Sequence, residues 1–320
     1  MTVASIQAGS ATRGERRSAS LAIPADGFIE PYVAGFHDAR TGSVQYVVAD
    51  PLRRKCAVID PVLDFDPGSG STRTTSADNL LRYMEAHDLT PEWILDTHPH
   101  ADHFSAAGYL KDMTGAATGI GDRVTEMQGL WKQIYNLPAT VPTDGSQWDH
   151  LFTEGERFKV GGMDAWVLLS PGHTLCSVTY VIGNAAFVHD TVFMPDAGTA
   201  RADFLGGDAR QLWGSIQRIL QLPSETRLFT GHDYPPDGRM ACWESTVAVQ
   251  KANNPHLRNS DEARFVKFRT ERDRSLPMPA LILSALQVNL AGGRLPAPEA
   301  DGRRYLKIPL NAFPNALWAS

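Results

Sequence analysis

Short apolar runs recur along the chain from Val44 onward: Val44 to Val48, Ala57 to Ile59, Trp93 to Asp96, Trp166 to Leu169, Thr179 to Ile182, Ala186 to His189 and Arg227 to Thr230. Each breaks off at polar or turn-forming residues, the signature of a strand. Runs such as Trp166 to Leu169 are apolar at every position and predict strands covered on both faces. Between them lie stretches with helical spacing. Ser76 stands where it would cap a helix carrying Leu80, Leu81 and Met84, and Asp208 with Gln211 has the spacing of a capping box ahead of Leu212, Ile216, Ile219 and Leu220. Strands interleaved with helices predict an α/β fold of two packed sheets with helices outside. Loops at the strand ends are then where chemistry is expected.

The pattern fades at both ends. Residues 1–27 are rich in Ala, Ser, Gly and Arg, with Arg13, Arg16 and Arg17 against the single acid Glu15, and predict a flexible N-terminal extension. An organelle presequence has the same Arg- and Ser-rich, acid-poor make-up. A mitochondrial-matrix location therefore stands beside the cytoplasmic one expected without a secretory signal. Residues 28–240 are expected to form the catalytic domain. Residues 241–320 turn to a charged helical stretch and then to closely spaced prolines, Pro277, Pro279, Pro296, Pro298 and Pro309, and are expected to form a C-terminal extension packed on that same domain.

With 320 residues, 42% of them hydrophobic and 21% charged, the chain can bury a substantial core. A net charge of −6 gives no electrostatic reason to expect nucleic acid or an anionic membrane as partner. No apolar run approaches the roughly 20 residues of a membrane span. Cys56, Cys176 and Cys242 form no CxxC pair, so neither a disulfide framework nor a thiolate zinc site is expected. Metal chemistry has to come from histidine and carboxylate.

Those residues crowd one loop. His98, His100, Asp102 and His103 follow the apolar run Trp93 to Asp96, placing three imidazoles and a carboxylate within six positions. Imidazole suits Zn, Fe, Cu or Ni, and the carboxylate adds a hard donor and negative charge. Three further candidates follow other strands: His173 in Pro171-Gly172-His173-Thr174, Asp190 after Ala186 to His189, and His232 in Gly231-His232-Asp233-Tyr234. Convergence of strand ends is how such a site is assembled from distant sequence.

The HxHxDH motif, the PGHT segment, the strand ending in Asp and the GHDY segment together resemble the metallo-β-lactamase superfamily, which implies an αβ/βα sandwich with metal at one edge. Two branches compete, and both contain the seven ligand-type residues: glyoxalase II thioesterases with two metals, and persulfide dioxygenases with one iron. Gly198 to Phe204, with Arg201 and Asp203, resembles the dioxygenase segment. Asn254-Pro255-His256-Leu257, Phe265-Val266-Lys267, Leu276-Pro277-Met278-Pro279 and Val288-Asn289 follow the dioxygenase tail in order. Two positions depart: His189 stands where the family usually has Gly, and Thr199 where it has Cys. By strand alternation His189 should point opposite to Asp190.

The dioxygenase resemblance implies one Fe(II) per chain, held by His98, His173 and Asp190, with open positions for a persulfide sulfur and for O2, giving sulfite and thiol. Glutathione persulfide or a related low-molecular-weight persulfide is the implied substrate. His100, Asp102, His103 and His232 would then support the ligands, Asp102 by fixing an imidazole tautomer and Tyr234 by donating its hydroxyl to bound sulfur or oxygen. Arg201 would either hold a glutathione carboxylate or brace its loop through Asp203 or Asp233. The glyoxalase II-like alternative implies two Zn and thioester hydrolysis, with the same seven residues as ligands. A non-catalytic metal-binding sensor on the same fold is the alternative of another class, and a homo-oligomer is compatible with all three.

Overall fold

The computed structural model describes residues 29–313. The expected extension over residues 1–27 lies outside them. One six-stranded sheet runs in the order Tyr32–His37, Val44–Ala49, Lys55–Ile59, Thr90–Leu95, Ala117–Gly121, His150–Phe152. Its first three strands are antiparallel and the rest pair in parallel. A second has the order Arg157–Val160, Met163–Leu169, Val178–Ile182, Ala185–His189, Arg227–Thr230, Glu244–Thr246. There only Ala185–His189 and Arg227–Thr230 run parallel.

The period of two along the strands explains the layering. On Val44–Ala49, Val44, Tyr46 and Val48 face the second sheet and meet Val167, Tyr180, Phe187 and Phe229. Val47 and Ala49 face the other way, against Leu80 and Met84 of the helix Thr75–Ala86 and Leu110 of the helix Ala107–Thr114. On the second sheet, Val181, Ala186, Val188 and Leu228 turn outward onto Leu212, Ile216 and Ile219 of the helix Ala209–Ile219. Strands apolar on both faces thus form the middle of an αβ/βα sandwich.

The helix starts differ from the sequence expectation in an informative way. Ser76 does not cap its helix. Thr74 is the N-cap and makes no side-chain cap bond, while the backbone N–H and hydroxyl of Ser76 donate to Asp64 at 3.0 and 2.7 Å. A carboxylate from the strand Val62–Asp66 thus does the work of a local cap. Asp208 does cap, accepting the Gln211 N–H at 2.7 Å, but the reciprocal half of a capping box is replaced by the Asp208 N–H donating to the Gly172 carbonyl at 2.8 Å. That bond ties the helix to the segment carrying His173.

Beyond residue 241, Glu244–Thr246 continues the second sheet as its edge strand, and the helices Val247–Asn253, Glu262–Asp273 and Ile282–Asn289 follow. Phe265 packs with the second sheet's outer cluster, and Ala285 and Val288 with the first sheet's.

Candidate metal centre

The loop after Thr90–Leu95 is held from several directions. Asp60, at the end of the neighbouring strand, accepts the Thr97 N–H at 2.7 Å and the Thr97 hydroxyl at 2.8 Å. The side-chain amide of the buried Asn289 donates to the carbonyls of His100 and His103 at 2.7 and 2.8 Å, and its oxygen accepts the Ser105 N–H at 2.7 Å. The Ser43 hydroxyl donates to Asp102 at 2.7 Å and lies 3.1 Å from His103 Nδ1, which is also 3.1 Å from Asp102.

These contacts orient the imidazoles. His98 Nδ1 is 3.0 Å from the Thr97 hydroxyl, leaving Nε2 to face inward. His173 Nδ1 is 2.9 Å from the Arg201 carbonyl, which can accept only from an N–H, so Nε2 of His173 is the free donor atom, 3.4 Å from Asp190 Oδ2. His232 Nε2 lies 3.4 Å from the same Asp190 oxygen and 3.5 Å from Asp102, and its Nδ1 is 3.0 Å from the Tyr234 hydroxyl. Two glycines make the close approach possible. A Cβ on Gly231 would stand 2.5 Å from Asp190 Oδ1, and one on Gly172 would stand 2.3 Å from the backbone of Leu212, at a φ of +139°.

Donor atoms of His98, His173 and Asp190 lie within 4.8 Å of one another, and so do those of His100, Asp102 and His103. His98 Nε2, both ring nitrogens of His100, His103 Nε2 and Asp190 Oδ1 are buried with no hydrogen-bond partner. Leaving such atoms unpaired costs roughly 1–3 kcal/mol each. Inward-facing, unpartnered nitrogen and carboxylate donors fit a cation. Burial, reinforced by the facing imidazoles, holds His98 well below the ordinary histidine range, and burial also lowers His173 and His103. Neutral imidazole is the metal-binding form.

His100 differs. Its Nε2 sits 3.0 Å from Asp60 Oδ1, and Asp60, Asp96 and His100 form a third close group. Burial opposes its protonation, but Asp60, with Asp102 and Asp96, outweighs that and pushes His100 up to about 9. Burial, with repulsion from Asp60, pushes Asp96 up to about 6.

His189 sits outside these groups. Its Nε2 is 2.8 Å from the hydroxyls of both Ser170 and Thr191, and burial, then His173, pushes it down to about 3. Its φ is +40°, a conformation that glycine adopts without strain and a histidine rarely does. Thr199 spends its hydroxyl on His256 at 3.0 Å and Arg269 at 3.2 Å.

A cavity of about 630 Å³ opens over the donors His173, Asp190 and His232, with Phe193, Phe204 and Met278 among its walls. Tyr234, exposed along its ring, stacks on His232 and turns its hydroxyl to that imidazole. Arg201 lines the cavity too, but its fork is taken: Nε and Nη2 donate to Asp203 at 2.7 and 2.8 Å, and Nη1 donates to the Pro277 carbonyl at 2.7 Å. The brace expected for Arg201 runs through Asp203; the partner of Asp233 is Arg239, at 2.6 and 2.7 Å. Three of the five N–H groups of Arg201 are engaged in this way. The sequence reading passed over Asp60, Ser43 and the clamping role of Asn289. Asp60 carried a signal, since Ile59-Asp60 repeats the pattern of a strand ending in an acid that drew attention to Asp190.

Fold and site together define a class: a metalloenzyme sandwich whose histidine and carboxylate donors gather where strands of both sheets end. The sequence profile of the metallo-beta-lactamase superfamily matches residues 49–232, and the chain belongs to that superfamily. It is 66% identical over 288 residues to the "Beta-lactamase hydrolase-like protein" of Xylella fastidiosa (strain Temecula1), covering 90% of this chain and 67% of that one. Identity to "Glyoxylase B2" of Dictyostelium discoideum is 46% over 279 residues, 86% of this chain and 96% of that one. Human "Persulfide dioxygenase ETHE1, mitochondrial" is 27% identical over 253 residues, 78% and 83% of the two chains. Among solved structures, ETHE1 from Myxococcus xanthus superposes with a TM-score of 0.66 at 28% identity, over 82% of this chain and 100% of that one. Among the described residues, no helix is long and apolar enough to cross a membrane.

Proposed function

We propose that the protein is a non-heme iron(II) persulfide dioxygenase that oxidises glutathione persulfide, or a related low-molecular-weight persulfide, with O2. The observation that carries this reading is the separate grouping of His98, His173 and Asp190, two imidazoles and one carboxylate, while His100 is drawn to Asp60. Two histidines and a carboxylate with open positions is the donor set of non-heme iron oxygenases. The likeness to ETHE1 and the dioxygenase-like order of the tail segments support it. Bound there, iron(II) would supply the redox centre at which O2 and a persulfide sulfur meet.

The balanced reaction takes a persulfide, O2 and water to the thiol, sulfite and two protons, with the outer sulfur oxidised and oxygen reduced. In this reading the chain fixes His98 through Thr97 and His173 through the Arg201 carbonyl, and shields the cavity with Phe193, Phe204 and Met278. The Tyr234 hydroxyl reaches substrate when His232 carries its proton on Nδ1, so that the tyrosine oxygen accepts and its O–H is left to donate.

A second reading, two-metal thioester hydrolysis, is favoured by the equally close group of His100, Asp102 and His103 and by the likeness to Glyoxylase B2. An oxygen electrode and a sulfite assay test the choice. Protein reconstituted anaerobically with iron(II) is expected to consume O2 and form sulfite from glutathione persulfide. Hydrolysis of S-lactoylglutathione by zinc-loaded protein, with no O2 uptake by the iron form, would overturn the proposal.

A further inference from the structure

The cavity over the metal centre is walled by three arginines, Arg201, Arg269 and Arg272, and they are not equivalent. Arg201 is spent on Asp203 and the Pro277 carbonyl. Arg269 is fully buried and pairs with Asp273 at 2.7 and 3.0 Å, while its Nη1 donates to the Thr199 carbonyl at 2.8 Å. Arg272 lies one turn further along the helix Glu262–Asp273. It is exposed, and among the described residues no carboxylate lies within ion-pair distance of it.

Charges on the cavity wall leave the same remainder. Asp102 and Asp190 belong to the metal centre, and Asp196 is held by Arg239 at 2.7 and 2.9 Å. Arg201 and Arg269 each have their own acid. Arg272 is the cation left over: its chain neighbours Glu271 and Asp273 pair with Lys267 and Arg269 instead. The neighbouring His256 registers that field: burial first, and then Arg269 and Arg272, push it down to about 4.

From this distribution we propose that Arg272 holds a carboxylate on the tail of a thiol-borne substrate, and so selects persulfides of carboxylate-bearing thiols such as glutathione over uncharged or cationic ones. A guanidinium with its fork free offers two parallel N–H groups to a carboxylate. One continuous cavity is lined both by the donors His173, Asp190 and His232 and by Arg272, and its size suits a ligand of tripeptide dimensions. The inference rests on the persulfide reading for its substrate, and assigns the carboxylate contact to Arg272, whose guanidinium is free, rather than to Arg201, which has three of its five N–H groups engaged.

The test uses binding rather than turnover, so that it stands apart from the reaction assigned above. Calorimetric titration of reduced glutathione into the metal-loaded full chain is expected to show affinity about tenfold weaker in Arg272→Ala, a loss appropriate to one charge-assisted contact, with Arg272→Lys falling between. Metal content and thermal midpoint should be unchanged, because Arg272 has no partner to lose. In parallel, Arg272→Ala should raise KM for glutathione persulfide and leave KM for 2-hydroxyethyl persulfide, which carries no charged group on its tail, as it was. Equal glutathione affinity in wild type and Arg272→Ala, equal KM shifts for both persulfides, or no glutathione binding by wild type would overturn the assignment. Absence of O2 uptake with either persulfide would instead sink the dioxygenase reading, while the calorimetry still reports on Arg272.

Discussion

Two histidine and carboxylate clusters of opposite balance, two imidazoles with one carboxylate and one imidazole with two, meet at the loop from residue 96 to residue 103. On one side His98 joins His173 and Asp190; on the other, His100 joins Asp60 and Asp96. The rings of His98 and His100 are only 4.1 Å apart between centroids. Burial and neighbouring imidazoles keep the first neutral, whereas carboxylates raise the second to about 9. The difference lies in what each ring meets. Thr97 gives His98 a neutral hydroxyl, while Asp60 places a full negative charge against His100. The identity of a histidine in a metal motif therefore says less about its role than the group lying behind it.

The largest test of this contrast removes the carboxylate of the first cluster. Asp190→Ala is expected to abolish both iron retention and turnover, measured by elemental analysis and O2 uptake; full iron occupancy in the variant would remove Asp190 from the ligand set. Next comes the clamp on the loop that carries His98 and His100. Asn289→Ala leaves two loop carbonyls and one N–H buried without partners, which should cost about 3 kcal/mol in chemical denaturation and make iron easier to strip with a chelator. An unchanged denaturation midpoint would show that the loop holds itself.

Asp60→Asn attacks the second cluster directly and the first only through Thr97. It releases the ring of His100 and halves the anchoring of Thr97, so iron retention should fall by the roughly 10- to 100-fold typical of groups that orient ligands. Uptake of a second metal, counted per chain, should rise at the same time. The smallest effect concerns a half-buried imidazole, His256, which faces guanidiniums rather than carboxylates. Its proton affinity is lowered in the fold, to about 4, so the unfolded chain binds the proton more readily below the ordinary value near 6.5. The stability this imidazole contributes is therefore present above about pH 6.5 and lost as pH falls toward 4. His256→Asn should flatten that part of the stability profile relative to wild type, and parallel profiles would contradict the assignment.

What could be read from the chain and what could not divide along the range of the interactions. His98, His100, Asp102 and His103 announce themselves because six consecutive positions carry the whole pattern, and the strands announce themselves because apolar residues fill both faces. The partners that set each imidazole's role come from far away: Asn289 is separated from His100 by 189 positions, and Ser43 from Asp102 by 59. No local pattern carries those distances. Ser76 misled for the same reason, since the acid that ties down its helix belongs to a different strand. Arg201 has a neighbour two positions on that could be named in advance, yet that Asp203 and Pro277 together use up its fork appears only when the tail folds over the cavity. His189 was expected to avoid the donor group, but its positive φ belongs to backbone geometry that the residue type argues against.

The central claim is that only the first of the two clusters holds the working metal, and counting ions tests it directly. Native mass spectrometry of the chain titrated anaerobically with iron(II) is expected to show one tightly held ion, lost in His98→Ala and retained in His100→Ala, with O2 uptake from glutathione persulfide saturating at about one iron per chain. Two ions bound together, with activity appearing only when both are present and directed to a thioester, would contradict it.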